Sequence, residues 1–416
     1  MFRTVEMFQE IIIDSPRRRR QSAVIPFIAI FLTCLAFPVL SFLKGDINCS
    51  VLIMNHAILD ELNLIDTIPF NPSTALSKKN FFIKGNKPTI DKYVNNVGGK
   101  KIGAWVYMEI ISLSRTNVTY YVLQDVYVNP AGGWSDGSYI IQYPQQVGVP
   151  RFNTKQGPIS NKVDDLICLG NEWCYVYAHF VLDVLSYLIY IPLEVRKKSH
   201  FLILSKSNIY RQFVHLFDIE YSQILCPGKS FVFTKRFHTV ISTEPIHGCI
   251  VEGLPKVAEI IRKKFKCDDV KPEFLGLYNR PSNKNRHILG FSELVEACKN
   301  HFAGKIEIRE LGEYNSLEQA AKLYSPIKIF FSPTGSSIIN CMFMAENTGI
   351  VCCLGDLNDP PAECAAKVLH KWMITVVVPG MKHHSSEKGH LPHDSAFKSI
   401  EAVMYAIEHQ EWQNDI

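Results

Sequence analysis

Zinc-type cysteine spacing, internal repeats, low-complexity tracts and a basic stripe with interleaved aromatics are all missing from this chain of 416 residues. None of its 12 cysteines forms a C-x-x-C pair, so no structural zinc is expected. The absence of repeats removes solenoids and propellers. With 44 Lys+Arg against 40 Asp+Glu, a net charge of +4 and no basic stripe, nucleic acid is not an expected partner. Charged residues make up only 20% and hydrophobic residues 47%, a globular balance that excludes wholesale disorder and collagen-like chains. Long apolar runs are scarce too. One exists, which excludes a multi-span membrane protein and points to a single crossing.

That run, residues 23–43, reads AVIPFIAIFLTCLAFPVLSFL and carries no charge. It is long enough to cross a bilayer core of about 30 Å as one helix. Arg17, Arg18, Arg19 and Arg20 stand just before it, and the positive-inside tendency places them in the cytosol and everything after Leu43 across the membrane. Pro26 and Pro38 lie near the ends of the run, where a broken backbone bond is best tolerated. A cleaved signal peptide is the competing reading. It fits less well, because the run exceeds an apolar signal core of about 7–15 residues and no small-x-small cleavage site follows. The expected organisation is a cytosolic basic tail at 1–22, a type II signal anchor at 23–43 and an irregular stem at 44–80. Asn48 and Asn117 begin acceptor triplets for N-glycosylation, whereas Pro72 excludes Asn71. Cys34 lies in the span, so the cysteines beyond it are odd in number and at least one is a free or intermolecular thiol.

Beyond the stem, element types alternate. β-rich segments at 119–128 and 137–143 flank the turn Pro130-Ala131-Gly132-Gly133. A continuous helix-compatible stretch from Trp173 to Ile191 leads to a strand at 200–204, a helix ending near Phe217 and strand-like residues 223–225. Strand material at 231–243 and a basic-ended helix at 251–266 follow. After a polar linker at 267–272, a second series has strands at 273–280, 305–311, 327–332, 349–354 and 373–379, with helices at 292–302, 316–324 and 395–410. This alternation predicts an α/β chain with two Rossmann-like domains, 81–266 and 267–416. They would face each other across a crevice at the carboxyl ends of their strands, where open α/β sheets bind ligands. Cys352 and Cys353 belong to an apolar run that reads as a buried strand.

Three features bear on chemistry. In FFSPTGSSIINCMFM an apolar strand runs into Pro333-Thr334-Gly335-Ser336-Ser337, then apolar residues recur at helical spacing. A polar turn at a helix N-terminus suits a phosphate: Gly335 permits close backbone approach, and Ser336 and Ser337 add hydroxyl donors. The same pattern is also an ordinary turn between strand and helix. Arg280, Lys284 and Arg286 follow the first strand of the second domain, where guanidinium groups suit bidentate contact with a diphosphate; a solvated basic loop is the other reading. His179 and Asp183, four apart, share one helix face and can form an acid/base pair, or an ordinary i,i+4 pair. No third ligand stands near them for a metal. Asp356, after the strand at 349–354, is a candidate contact for a ribose or sugar hydroxyl. His383, His384, His390 and His393 read as a solvated loop.

Together, YAHFVLDVL, the LYNRPSNKNRHIL…ELV block and SPTGSSIINCMFM, preceded by LQDVYVNPAGGWSDGSYII, resemble glycosyltransferase family sixty-one over roughly residues 115–360. The family includes β-1,2-xylosyltransferases and protein O-linked N-acetylglucosaminyltransferases of the secretory pathway. The resemblance implies a GT-B fold and an inverting transfer from a UDP-sugar to a glycan or glycoprotein hydroxyl. No cofactor and no essential divalent metal is implied. It places the chain in the Golgi or endoplasmic reticulum membrane with its catalytic part in the lumen. The family's H-x-x-x-D helix falls on His179 and Asp183, with Asp183 expected as general base and His179 orienting it or substituting for it. Its paired-arginine block falls on Arg280 and Arg286, and its P-H-G-A-type turn on Pro333, Thr334, Gly335 and Ser336. Thr334 departs from the family, which usually has histidine there. That departure keeps a second reading in play, a binding protein of this fold with weak or no turnover. A third is an anchored lumenal interaction protein with no sugar ligand.

Overall fold

β-branched and aromatic residues concentrate in two sets of strands, and each set makes one sheet. The computed structural model describes residues 118–135, 159–170, 174–204, 208–228, 230–242, 253–356 and 360–413. It also gives strand backbone at Leu40–Ser41, Ser50–Ile53, Leu64–Phe70, Phe81–Lys84 and Tyr139–Gln142. Apart from Leu40–Ser41, the expected anchor at 23–43 lies outside the described residues, as do the basic tail, most of the stem, Asn48 and Asn117. Among the described residues, no helix is long and apolar enough to cross a membrane.

The first sheet is mixed. Strand β1 (Val118–Val128) runs antiparallel to a later strand, and β2 (Ile159–Cys168), β3 (His200–Leu202) and β4 (Ile224–Leu225) form a parallel edge. β5 (Phe231–Ser242) joins the two parts: His238 is opposite Val122 of antiparallel β1 and Ile167 of parallel β2. β2 is absent from the sequence reading because its first six residues, ISNKVD, are mostly polar or charged and, apart from half-buried Val163, face water. Only its last turn toward Leu166 and Ile167 enters the core.

The second sheet is parallel and covered on both faces. It comprises β6 (Phe274–Leu277), β7 (Glu307–Glu310), β8 (Ile327–Pro333), β9 (Gly349–Leu354) and β10 (Trp372–Val377), in the spatial order β7-β6-β8-β9-β10, with Phe81–Lys84 beyond β10. Side chains alternate between two cores, as the strand period requires. Leu275, Leu277, Phe331, Val351, Cys353, Ile374 and Val376 meet the helices Phe291–His301 and His393–His409. Phe274, Phe330, Ile350, Cys352, Leu354 and Met373 meet Leu254–Phe265, Leu317–Tyr324 and Pro360–Val368. Cys352 and Cys353 are fully buried, as the apolar run implied. The second core continues into the first sheet through Tyr120, Val122, Ile167, Phe201 and Val240.

Two helix ends show local sequence control. Leu254–Phe265 has Pro255 in its first turn and stops where Lys266 turns left-handed at φ 55°. Leu317–Tyr324 starts at Ser316, whose side chain accepts the Gln319 N–H.

Candidate active site

Taken in chain order, the strands of the second sheet follow the pattern 2-1-3-4-5, so the strand order reverses between β6 and β8. Such a switch point opens a crevice at the strands' carboxyl ends and is where open α/β sheets bind ligands. Arg280 and Arg286 lie in the loop after β6, and Gly335 follows β8. Asp356 follows β9, and His383 follows β10.

The β6 loop is folded back by Asn279. Its Oδ1 accepts the N–H groups of Arg280 and Ile288, each at 3.0 Å, and its Nδ2 donates to the Ile288 carbonyl at 2.9 Å. His287 Nδ1 donates to the Arg280 carbonyl at 2.6 Å. Arg286 closes the loop in the left-handed region, φ 64°, which a non-glycine residue adopts only when its surroundings enforce it. Gly335 has φ 126°, and a Cβ there would stand 2.8 Å from Arg280 Nη1 and 2.9 Å from Arg286 Nη1. Both guanidinium groups thus press on one bare stretch of backbone. Two like charges converging on one point favour an anion at that point.

The turn itself is tied from within. Thr334 N–H donates to Cys353 O at 2.8 Å, and Ser332 Oγ bonds Ser337 Oγ at 2.8 Å. Thr334 is fully buried, whereas Gly335, Ser336 and Ser337 are partly open to solvent. The following segment, Ser336–Phe343, is a 3₁₀-helix rather than the α-helix expected from its spacing. Its apolar residues Ile338, Ile339, Met342 and Phe343 are all buried, which is the pressure that winds it tightly.

Lys284 sits at the exposed tip of the loop, its N–H bonded to Pro281 O at 2.9 Å. Asp356 acts through backbone: its Oδ1 accepts the His383 N–H at 2.8 Å. His383 in turn accepts from Arg286 Nη1 through Nε2 at 3.2 Å. This corrects the reading of His383 as part of a solvated loop. Imidazole, carboxylate and guanidinium form a chain that ends at Gly335.

His179 and Asp183 belong to a helical stretch at 177–188, α1. Nδ1 of His179 donates to Asp183 Oδ2 at 2.7 Å, with side chains 20% and 15% exposed. Phe180, Val181, Leu182, Val184, Leu185 and Leu188 bury the other faces. The stretch is not a uniform α-helix: Val181–Leu185 forms a π-turn around Asp183, and Ser186 Oγ donates to the Val181 carbonyl at 3.1 Å. π-turns are rare and concentrate at functional sites.

Tyr177, the first residue of α1, joins this helix to the Gly335 turn by donating to Asn340 Oδ1 at 2.8 Å. Asn279, His287, Tyr177, Asn340 and His383 had no sequence signal as site residues. Of these, only His383 had a usable clue, its place just beyond the end of a parallel strand.

No curated protein matches the chain. The family model described as Glycosyltransferase 61 matches residues 177–351, from the first residue of α1 into β9, and so takes in His179, Asp183, Arg280, Arg286 and Gly335. Over that segment the chain is similar to glycosyltransferase family 61.

Proposed function

We propose that this protein transfers a sugar, xylose or N-acetylglucosamine, from a UDP-sugar to a hydroxyl of a glycan or glycoprotein. Similarity to the family supports a glycosyltransferase. The observation that carries the donor assignment is the convergence of Arg280 and Arg286 on Gly335 at the switch point of the second sheet. A nucleoside diphosphate fits that convergence, and its charge grows as the glycosidic bond breaks. Preorganised cations aimed at developing charge supply the largest share of many rate enhancements. Ser336, Ser337 and Lys284 add donors around the diphosphate, and Asp356 and His383 hold Arg286 in place.

The transfer is a single inverting displacement. The acceptor oxygen forms its bond to the anomeric carbon as the bond to the β-phosphate oxygen breaks, and UDP leaves with the electron pair. The acceptor proton goes to the His179–Asp183 pair. The sequence reading gives the base role to Asp183. The bond from Nδ1 to Oδ2 favours His179, because a neutral ring that donates from Nδ1 accepts at Nε2, while the carboxylate orients the ring and stabilises the imidazolium. No divalent metal enters the proposal. The two sheets would form a GT-B-like pair in the lumen of the Golgi or endoplasmic reticulum, behind a type II anchor, with Asn48 and Asn117 as glycosylation sites.

Thr334 favours one rival, a donor-binding protein with weak turnover, since a buried hydroxyl stands where the family usually has histidine. Calorimetry of the full chain in detergent with UDP and a panel of UDP-sugars, with and without chelator, tests the proposal together with a transfer assay. Chelator-resistant binding that selects one sugar, with transfer of that sugar, is the expected result. Binding without transfer gives the rival. No binding by folded protein removes both.

A further inference from the structure

Asn340 lies five residues beyond Gly335, in the 3₁₀ segment, and is buried. Its Oδ1 accepts two phenolic hydroxyls, from Tyr177 and from Tyr314, each at 2.8 Å. An amide oxygen has two lone pairs, so both are used. The two tyrosines belong to different halves of the site. Tyr177 opens the helix that carries His179 and Asp183, and its ring packs on Phe213 with centroids 5.8 Å apart. Tyr314 stands edge-on to Tyr324, which in turn packs on Phe330 of β8 and Phe343 of the 3₁₀ segment. Burial holds both phenols above their ordinary pKa, so both remain donors throughout the neutral range.

We infer that Asn340 is a positioning residue, setting the His179–Asp183 helix against the Gly335 turn through its bond to Tyr177. The inference rests on the transferase reading of that site. A proton acceptor on one element and an anion cradle on another catalyse only when both meet the same substrate at the correct distance, and a misplacement of about 1 Å costs on the order of 100-fold in rate. The link falls at the first turn of α1, two residues before His179, so releasing it moves the pair more than the cradle. A π-turn just beyond, at Val181–Leu185, gives that helix a place to yield.

The arrangement supplies its own control. Tyr177→Phe and Tyr314→Phe each remove one hydroxyl from the same oxygen and keep the ring, but only the first removes the hydroxyl that α1 itself carries to Asn340. In the full chain, Tyr177→Phe is expected to leave the dissociation constant for UDP within about twofold and lower kcat by about 10- to 100-fold. Tyr314→Phe is expected to change kcat by less than about twofold, at a similar loss of thermal stability. Hydrogen exchange read alongside should show faster exchange at amides 181–188 in Tyr177→Phe and not in Tyr314→Phe. Equal loss of kcat in the two variants would make the bonds simple packing and overturn the inference, as would unchanged exchange at 181–188 in Tyr177→Phe. If the wild-type chain binds UDP but transfers nothing, the transferase reading fails, and the exchange comparison still decides the role of Asn340.

Discussion

Two regions of this molecule hold arginine and histidine together, and they are built to opposite ends. In the first sheet, Arg236 of β5 forks onto Asp165 of β2, His238 Nε2 bonds the same carboxylate at 2.8 Å, and Tyr120 bonds His238 Nδ1 at 2.6 Å. The register makes this possible, since Arg236 lies directly opposite Asp165 on the adjacent parallel strand. The Arg236 guanidinium, seconded by His238, holds the Asp165 carboxyl down at about 2. Charge is answered by charge, with Asp165, His238 and Tyr120 all buried. At the second sheet, Arg286 instead donates to an imidazole, and both Arg280 and Arg286 press on backbone that only glycine leaves open. The first arrangement serves the fold; the second is suited to receive an anion from outside.

Mutations that act on one region and spare the other sharpen this contrast. Asp165→Ala leaves half-exposed Arg236 and buried His238 without their carboxylate, and losing hydrogen bonds to a charged group costs about 1.5–3 kcal/mol. Urea unfolding should show that loss, while UDP affinity of the folded protein stays unchanged. The pH dependence has a definite sign. Because the carboxyl sits near 2 in the fold and at 3.8 when unperturbed, its contribution is full above about pH 4 and is lost as pH falls toward 2. Gly335→Ala reverses the pattern: the new Cβ meets two guanidinium groups at under 3 Å, and φ 126° is closed to alanine. UDP affinity should fall by about 100-fold, equivalent to about 2.7 kcal/mol, which calorimetry would read directly. His383→Ala removes the imidazole that accepts from Arg286 and should cost about tenfold in UDP affinity, the scale of one lost charge-assisted hydrogen bond. An unaffected His383→Ala would mean that the loop holds Arg286 without help.

How much of this was legible in the sequence differs by region for physical reasons. Strand and helix periods exposed the second sheet almost element by element, because a parallel strand covered on both faces is apolar throughout, as GIVCCL and IKIFFS are. Arg280, Arg286 and Gly335 were legible for the same reason: each follows a strand that announces itself. β2 was hidden because half of it faces water, and the helices Leu193–Lys198 and Pro360–Val368 were hidden because both are short, the first preceded by Pro192 and the second opening on Pro360. The π-turn at Asp183 and the 3₁₀ winding after Gly335 left no mark on the residue pattern, since segments this short do not separate the periods of the helix types and tertiary packing selects among them. Asn340 and Tyr177 carry no signal of their own in the residue pattern, and only the folded chain brings residues 163 positions apart into one hydrogen bond.

A third buried charge divides the comparison further and carries the smallest of these effects. Lys371 is fully buried at the far end of the segment that begins at Gly335, where its Nζ donates to the carbonyls of Met344, at 3.0 Å, and Ala345. Carbonyl dipoles solvate an ammonium less well than water does, and burial pushes its pKa down to about 7 from 10.5. The slope with pH has the same sign as that of Asp165, but here burial opposes the charged form and the window lies higher. Between about pH 7 and 10.5 the unfolded chain holds a proton that the folded chain releases, so this group makes stability rise with pH. The gain from pH 7 to pH 8 is about 1 kcal/mol. Lys371→Met nearly keeps the volume and removes the titration, so the difference in urea midpoint between pH 7 and pH 8 should shrink in the variant. An unchanged difference would show that Lys371 keeps an ordinary pKa in its buried place. Its ammonium would then be held by those carbonyls firmly enough to offset the penalty of burial.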